Sequence, residues 1–192
     1  MSNELFPVFF RMEKLKLLVV GAGEVGYEKI GFMFRHCNNA NVTIVAPEIN
    51  PLIIDLQNKY PRQFVIYKKN FEPSDIEGKD LVIAATADKA LNKHVWECAK
   101  SKEVIINVAD TPDLCDFYLS SVVKKGDLKI AISSNGKSPT LTKRIRELLT
   151  DVLPDEIDDL IHNLKIIRDD MKGDFEEKVE RLNKLTKDLT KK

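Results

Sequence analysis

The feature that most constrains the fold of this chain is the stretch at residues 15–26, Leu-Lys-Leu-Leu-Val-Val-Gly-Ala-Gly-Glu-Val-Gly. An apolar, β-branched run ends in three glycines at the spacing G-x-G-x-x-G. This order is typical of a strand, a tight turn and a helix N-terminus that receive a pyrophosphate. We therefore predict a dinucleotide site, against the alternative of a purely structural turn. The candidate cofactor contacts here are Gly21, Ala22, Gly23, Glu24 and Val25.

Apolar runs and amphipathic segments then alternate as far as residue 108. The first strand is followed by four more predicted strands, at 41–46, 64–67, 81–85 and 104–108. Helices are predicted at 27–36, 49–59 and 89–100. Strands that alternate with helices at this rhythm imply a parallel sheet. The predicted fold class is α/β, with a Rossmann-like domain over residues 1–112.

Several predicted strands end in small residues. The carboxyl ends of the strands are the edge at which a parallel sheet binds its ligands. The second strand ends in Ala46 and Pro47 instead of the acidic residue that often binds the ribose, so the pattern does not distinguish NAD from NADP. The fourth strand ends in Ala85 and Thr86, which leave room for a ligand, and Asn107 lies near the end of the fifth. All five join the candidate cofactor contacts.

Asp110 follows the fifth strand directly and is the candidate catalytic residue. At the carboxyl edge of the sheet, near the expected position of the nicotinamide, its carboxylate can accept a proton. The competing interpretation is a turn before Pro112 in which Asp110 binds its own backbone.

The alternation ends after residue 112. Strand-like segments at 117–123 and 128–133 flank a turn at 124–127, and a helix is predicted at 140–149 with Ser138 as N-cap and Pro139 in first position. We assign residues 113–150 to a small α+β dimerisation and substrate-binding region. Residues 151–192 form a C-terminal helical region, whose apolar residues keep helical spacing as far as Leu189.

Local charge points to a polyanionic small molecule. Lys+Arg and Asp+Glu are both 30, so no overall basic excess favours nucleic acid. Residues 121–150 are nevertheless strongly basic, which suits a polyanion but equally suits a solvated helix or pairing with the acidic tail. The basic residues are Lys124, Lys125, Lys129, Lys137, Lys143, Arg144 and Arg146. The candidate substrate contacts are Lys124, Ser134, Asn135 and Lys137.

Other function classes lack support. No apolar run approaches a membrane span and no export signal is visible, so we expect a cytoplasmic protein. Cys37, Cys98 and Cys115 match no disulfide or metal spacing and are expected to be reduced thiols. The three histidines fall on predicted helices without a second ligand nearby, and no metal site is predicted.

Several stretches together resemble the precorrin-2 dehydrogenase / sirohydrochlorin ferrochelatase family, which includes the N-terminal part of sirohaem synthases. The most specific is 126–139, Gly-Asp-Leu-Lys-Ile-Ala-Ile-Ser-Ser-Asn-Gly-Lys-Ser-Pro. The other matching stretches are Phe-Pro-Val-Phe at 6–9, the glycine motif, Val-Thr-Ile-Val-Ala-Pro at 42–47, Leu-Val-Ile-Ala-Ala-Thr at 81–86 with Asn92, and Asn-Val-Ala-Asp at 107–110.

This resemblance implies NAD-dependent oxidation of precorrin-2, a tetrapyrrole with eight carboxylates, to sirohydrochlorin. Some members also insert Fe²⁺ to give sirohaem, and the resemblance leaves this ferrochelatase (lyase) activity open. It implies that Asp110 is the base, that Ser134 binds the tetrapyrrole and that the chain is a homodimer. Because no methyltransferase sequence follows, we expect no uroporphyrinogen methylation.

The chain departs from the family pattern in three places. Gly26 replaces the alanine of many members, a change we expect to be harmless for helix packing. Residues 119–121 and 142–143 differ from the usual Leu-Pro-Ala and Ala-Arg, so the shape of the macrocycle pocket is open. The alternative function is a non-catalytic NAD-sensing module, which would need the sheet but neither Asp110 nor the 133–139 block.

Overall fold

A computed structural model describes residues 4–187 of the chain. It shows two compact units, which divide between Leu119 and Ser120. No helix in this described range is long and apolar enough to cross a membrane.

The N-terminal unit is built on a five-stranded sheet in the order β3-β2-β1-β4-β5, with every neighbouring pair parallel. The strands are β1 (Lys16–Val20), β2 (Asn41–Val45), β3 (Phe64–Tyr67), β4 (Leu81–Ala84) and β5 (Ile105–Val108). The central strands read as continuous apolar runs because helices cover both faces of the sheet. The predicted Rossmann-like fold is confirmed.

Three helices pack on this sheet: α1 (Glu24–His36), α2 (Pro51–Lys59) and α3 (Lys89–Ser101). α1 and α2 bury Phe34 and Ile53 in the core that holds Val19 of β1. α3 buries Val95 in a second core with Val20, the next residue of β1. Since successive residues of a strand point to opposite faces, the two cores lie on opposite sides of the sheet.

Helix α2 begins at Pro51, two residues later than the predicted start at 49. The side chain of Asn50 accepts a hydrogen bond from the backbone nitrogen of Leu52 at 3.0 Å and caps the helix. Proline fits the first helical position because the nitrogen there needs no partner.

The C-terminal unit contains an antiparallel hairpin of β6 (Ser121–Lys125) and β7 (Leu128–Ile132). Three helices follow: α4 (Pro139–Val152), α5 (Ile157–Asp170) and α6 (Phe175–Thr186). The predicted C-terminal helical segment is thus confirmed, and its break falls at Gly173, which has a φ of 121°. The predicted apolar position Leu189 lies outside the described residues.

The sequence predicts the first hairpin strand at 117–123, and that prediction is wrong at both ends. The strand begins at Ser121, and Lys124 lies within it instead of in the turn. The carbonyl of Phe117 accepts a hydrogen bond at 2.8 Å from the side-chain amide of Asn107 in β5. Residues before 121 therefore follow the edge of the N-terminal sheet and do not pair with β7.

Helix α4 begins as predicted and ends later than predicted. The hydroxyl of Ser138 accepts a hydrogen bond from the backbone nitrogen of Leu141 at 3.3 Å, and Pro139 takes the first position. The helix continues through Val152, since Leu153 must adopt an extended conformation before Pro154.

Candidate functional site

The glycine turn joins the carboxyl ends of three neighbouring strands. Gly21 has a φ of 102°, and a Cβ atom added there would lie 2.5 Å from the carbonyl oxygen of Ala85. Its nitrogen donates to the carbonyl of Val45 at 3.0 Å, while the nitrogen of Ala85 donates to the carbonyl of Val20 at 2.8 Å. Backbone conformation and space therefore both require glycine at position 21.

Helix α1 begins directly after this turn and presents an open N-terminus. Its N-cap is Gly23, so no side chain caps the first turn. A Cβ atom on Gly23 would meet nothing within 4 Å. The start of this 13-residue helix therefore has no side-chain cap and has open space beside Gly23, an arrangement that suits the binding of phosphate groups.

Gly26 lies directly against the glycine turn, and nothing in this packing contradicts the expectation that glycine in place of alanine is harmless. A Cβ atom there would overlap the carbonyl oxygen of Gly21. In this chain the turn and α1 approach each other more closely than an alanine allows. The third glycine is therefore required by packing between strand end and helix.

The loop after β2 is tied to the glycine turn. The backbone nitrogen of Asn50 donates to the carbonyl of Ala22 at 2.9 Å, and its side-chain amide donates to the Glu24 carboxylate at 2.9 Å. The nitrogen of Ala46 donates to the carbonyl of Tyr67 at 3.3 Å, which anchors the loop on β3. The predicted contacts at 22, 24, 46 and 47 thus belong to one connected rim.

A cleft of about 220 Å³ lies at this carboxyl edge of the sheet, where Rossmann folds bind their ligands. Of the predicted cofactor residues, it brings together Gly21, Ala46, Pro47 and Thr86. Ala85 is buried behind Gly21, and Val25 is half-buried in the first turn of α1. Asn107 does not line the cleft.

Thr86 and Asn92 hold the turn after β4. The side-chain oxygen of Asn92 accepts from the nitrogen of Thr86 at 3.1 Å and from its hydroxyl at 2.8 Å, and the Asn92 amide donates to the Thr86 carbonyl at 3.0 Å. Asn92 is buried, so these bonds replace its contacts with water. Asp88 caps α3 by accepting from the nitrogens of Ala90 and Leu91.

Six residues that line the cleft were not predicted as cofactor contacts: Val20, Val45, Asn70, Phe71, Asp88 and Leu91. Asn70 and Phe71 follow β3 in an irregular loop without a motif. Their only signal was position, because they come after the carboxyl end of a predicted strand. Phe71 contacts the ring of His94 edge-on, with centroids 6.1 Å apart.

The positive charge nearest to Asn70 in sequence is already paired. Lys69 lies 2.6 Å from the Glu72 carboxylate and 3.0 Å from that of Asp75. Hydrogen bonds to Glu72 and then to Asp75 raise the pKa of the Lys69 ammonium. Among the described residues, those that line the cleft include no lysine or arginine.

Asp110 lies at the exposed tip of the turn after β5. It has a φ of 56°, and the backbone nitrogen of Thr111 donates to the carbonyl of Val108 at 3.3 Å to close the turn. The hydroxyl of Thr111 donates to the carbonyl of Ala109. Within residues 4–187 the Asp110 carboxylate has no hydrogen-bond partner, so the alternative in which it binds its own backbone finds no support.

In the C-terminal unit, the predicted substrate residues 134, 135 and 137 share one tight turn. Its central residues Asn135 and Gly136 have φ values of 54° and 74°, and the nitrogen of Lys137 donates to the carbonyl of Ser134. The hydroxyl of Ser134 accepts from the nitrogen of Ser138 at 3.0 Å. Since that hydroxyl accepts here, its own hydrogen is available to a ligand.

The basic residues of the hairpin differ in their surroundings. Lys124 is exposed and lies directly opposite Lys129 on β7. The ammonium of Lys125 instead donates to the carbonyl of Leu153 and contacts the Asp155 carboxylate at 2.7 Å. The hydrogen bond from Lys125 lowers the pKa of the Asp155 carboxyl group. Lys125 thus stabilises the hairpin, while Lys124 remains exposed to solvent.

The described residues contain no group of three or more His, Cys, Asp or Glu side chains that could hold a metal ion. His36, His94 and His162 lie on α1, α3 and α5. All three cysteines are free thiols.

Known proteins with similar sequences are siroheme synthases. The chain is 34% identical over 169 residues to the siroheme synthase of Ruthia magnifica, covering 88% of this chain and 35% of that protein. It is 36% identical over 151 residues to siroheme synthase 1 of Cronobacter sakazakii, covering 79% of this chain and 31% of that protein. The chain therefore spans about a third of the length of the curated relatives it matches.

A solved structure titled "SirC, precorrin-2 dehydrogenase" shares the fold. It superposes with a TM-score of 0.76 at 24% sequence identity, covering 94% of this chain and 89% of that one. At this identity the match supports the architecture only.

The parallel sheet, the glycine turn and the open helix N-terminus define a Rossmann-type NAD(P)-binding protein. A family model described as putative NAD(P)-binding matches residues 8–121, and one described as sirohaem biosynthesis protein central matches residues 125–151. The chain belongs to the precorrin-2 dehydrogenase / sirohydrochlorin ferrochelatase family. The predicted family is confirmed, and the family model supports the predicted dinucleotide cofactor as NAD(P).

Proposed function

We propose that this chain is a cytoplasmic enzyme that oxidises precorrin-2 to sirohydrochlorin with NAD. The proposal is supported by its siroheme synthase relatives and by the name of the precorrin-2 dehydrogenase that shares its fold. The observation that carries it is the unpaired Asp110 carboxylate, at the same edge of the sheet as the glycine turn. A nucleotide sensor would have no use for such a group.

The geometry of the glycine turn fits a dinucleotide. The space around Gly23 and the uncapped start of α1 suit a pyrophosphate, and the cleft beside Gly21 suits an apolar, uncharged ring. Because no cation lines the cleft within the described residues, we favour NAD over NADP, whose extra phosphate needs a positive partner.

The chain's own contribution to the reaction is to bind, orient and accept a proton. NAD⁺ held at the glycine turn and the N-terminus of α1 would supply the hydride acceptor, so that two electrons and one proton leave a ring carbon of precorrin-2 together. A second proton must leave the macrocycle for sirohydrochlorin to form, and we assign its acceptance to Asp110. An exposed carboxylate without a partner can accept this proton and pass it to water.

The substrate carries eight carboxylates, and the hairpin offers positive charge to match. We propose that Lys124, Ser134, Asn135 and Lys137 bind substrate carboxylates. The exposure of Lys124 and the free donor of the Ser134 hydroxyl support this, because both can reach an anion in solvent.

We also propose that the chain forms a homodimer through its C-terminal helices. Leu148 and Val152 of α4 are 60% and 69% exposed, and Phe175 of α6 is 80% exposed. Apolar side chains in such numbers favour burial against a second copy. Sedimentation velocity on the purified chain tests this proposal. We expect the mass of a dimer, and the mass of a monomer throughout an about 50-fold range of concentrations would contradict it.

An anaerobic assay tests the activity. Purified chain is incubated with precorrin-2, with and without NAD, and the absorption spectrum of sirohydrochlorin is followed. We expect product and NADH in equal amounts only when NAD is present. NAD binding by calorimetry without any spectral change would favour the sensing module instead.

Adding Fe²⁺ to the product in the same cuvette measures ferrochelatase activity. In that reaction Fe²⁺ is a substrate, and Asp110 is the candidate acceptor of the pyrrole protons.

A further inference from the structure

Strand β5 forms one edge of the sheet, and residues 115–117 cover that edge. The nitrogen of Ile106 donates to the Asp116 carboxylate at 3.0 Å, and the nitrogen of Asp116 donates to the carbonyl of Ile106 at 2.8 Å. The Asn107 amide donates to the carbonyl of Phe117. An edge strand otherwise leaves such groups unpaired, so this segment completes the hydrogen bonding of β5.

The thiol of Cys115 occupies the last position along this edge. The backbone nitrogen of Val108 donates to its sulfur at 3.3 Å, and the sulfur lies 3.2 Å from the carbonyl of Val108 and 3.3 Å from that of Thr111. The thiol thus contacts both ends of the turn that carries Asp110. Burial raises the pKa of the Cys115 thiol, so the sulfur keeps its proton at neutral pH and donates it to either carbonyl.

The turn between these two contacts has an unfavourable backbone conformation. Asp110 has a φ of 56°, in the left-handed region that few L-residues adopt. Its carboxylate makes no hydrogen bond within residues 4–187 that could hold it in place. The backbone of the turn therefore fixes the Cα–Cβ direction from which the carboxylate projects, and this backbone is held by Thr111 and Cys115.

We propose that Cys115 is a positioning residue, whose thiol bridges Val108 and Thr111 and thereby aims the Asp110 carboxylate at the bond that loses its proton. This inference rests on the proposed function, in which Asp110 accepts that proton. A shift of the carboxylate by about 1 Å is enough to lower a rate by a large factor without changing how the cofactor binds.

A double-mutant cycle tests the inference. Cys115→Ala is made in the wild-type chain and in Asp110→Asn, and single-turnover rates of precorrin-2 oxidation are measured under anaerobic conditions. In the wild-type background we expect the rate to fall about tenfold, with the NAD dissociation constant unchanged within about twofold. In the Asp110→Asn background we expect a change of less than about twofold, because Cys115 then has no base to position.

Cys98→Ala is the matched control. Cys98 packs against the same core as Cys115 and is also half-buried, but it lies on α3, where its sulfur contacts the ring of His94 and not the carbonyls of the Asp110 turn. We expect its rate to equal that of the wild-type chain. A decrease equal to that of Cys115→Ala would mean that loss of any core thiol slows the enzyme, and would overturn the inference.

The outcomes separate this inference from the proposed function. If the wild-type chain forms no sirohydrochlorin, the proposed function fails and the inference fails with it. If the wild-type chain is active but Cys115→Ala matches it, or slows both backgrounds by the same factor, the inference alone is overturned. Should circular dichroism show Cys115→Ala unfolded, Cys115→Ser replaces it, since its shorter hydroxyl retains a donor and an acceptor. The expected decrease is then about threefold and again confined to the background with Asp110.

Discussion

The carbonyl oxygen of Gly21 fills the space that a side chain on Gly26 would need. The turn that ends β1 and the first turn of α1 are therefore in backbone contact, and the helix N-terminus is brought directly against the cleft. The position of the helix relative to the sheet determines where its free amides point, so binding of a pyrophosphate depends on this contact.

We predict that Gly26→Ala lowers the free energy of unfolding by about 1–3 kcal/mol and weakens NAD binding, because the added methyl pushes α1 away from the turn. Urea denaturation and calorimetry measure the two effects. Gly31→Ala, in the same helix, is the control: its Cβ would meet only Arg35 at 3.4 Å, and it should stabilise the chain by about 0.5–1 kcal/mol. Equal stability of the two variants would contradict the close contact.

Gly23→Asp should abolish NAD binding without loss of stability. Gly23 has a φ of −80° and free space around it, so any residue fits, and aspartate is a favoured N-cap. The carboxylate would instead repel the pyrophosphate. Gly23→Asn, of equal size and without charge, is the control and should retain more affinity. Calorimetric titration with NAD measures both, and unchanged affinity in Gly23→Asp would place the pyrophosphate elsewhere.

Asp110→Asn should keep the fold and NAD affinity while lowering turnover at least about tenfold, since a general base contributes roughly that much or more. Asparagine tolerates positive φ as well as aspartate does, so the turn is preserved. Asp113→Asn, in the neighbouring exposed 3₁₀ turn, serves as the control and should turn over normally. Wild-type rates in Asp110→Asn would remove this carboxylate from the mechanism.

Much of the sheet could be predicted because a buried parallel strand is recorded directly in sequence as an apolar run. The run at 64–67 matches β3 at both ends. The start of α2 was two residues off because capping by Asn50 is a local hydrogen bond that periodicity does not show. The 117–120 segment was mistaken for a strand because Phe117 and Leu119 are apolar at alternate positions, yet they pack against the core of the N-terminal unit and do not pair with β7.

The candidate site was predictable only where a motif marks it. Gly21 and Gly23 stand out by the spacing of the glycine motif, and at Gly21 both conformation and space require glycine. Phe71 carries no such mark, and its place in the cleft depends on how the loop after β3 folds over the sheet. The role of Cys115 was hidden for the same reason, since a lone cysteine shows nothing of the carbonyls around it.

Lys124→Gln should raise the KM for precorrin-2 several-fold and leave kcat nearly unchanged, because an exposed cation that binds a substrate carboxylate contributes mainly to ground-state binding. The effect should shrink as salt is added, since salt screens surface charges. Lys165→Gln on α5 is the control for loss of one charge. A fall in kcat equal to the rise in KM would assign Lys124 another role.

Asn92→Asp should destabilise the N-terminal unit by about 1–3 kcal/mol, the cost of an unsatisfied buried polar group. In the folded chain the Asn92 amide donates to the carbonyl of Thr86 at 3.0 Å, and a carboxylate oxygen would face that carbonyl with no hydrogen between them. The turn after β4 borders the cleft through Thr86, so NAD affinity should fall as well. Asn58→Asp, exposed on α2, is the matched control and should change neither quantity. Urea denaturation at pH 7 and calorimetry measure them, and a stable Asn92→Asp with normal NAD binding would contradict this role of the Asn92 amide.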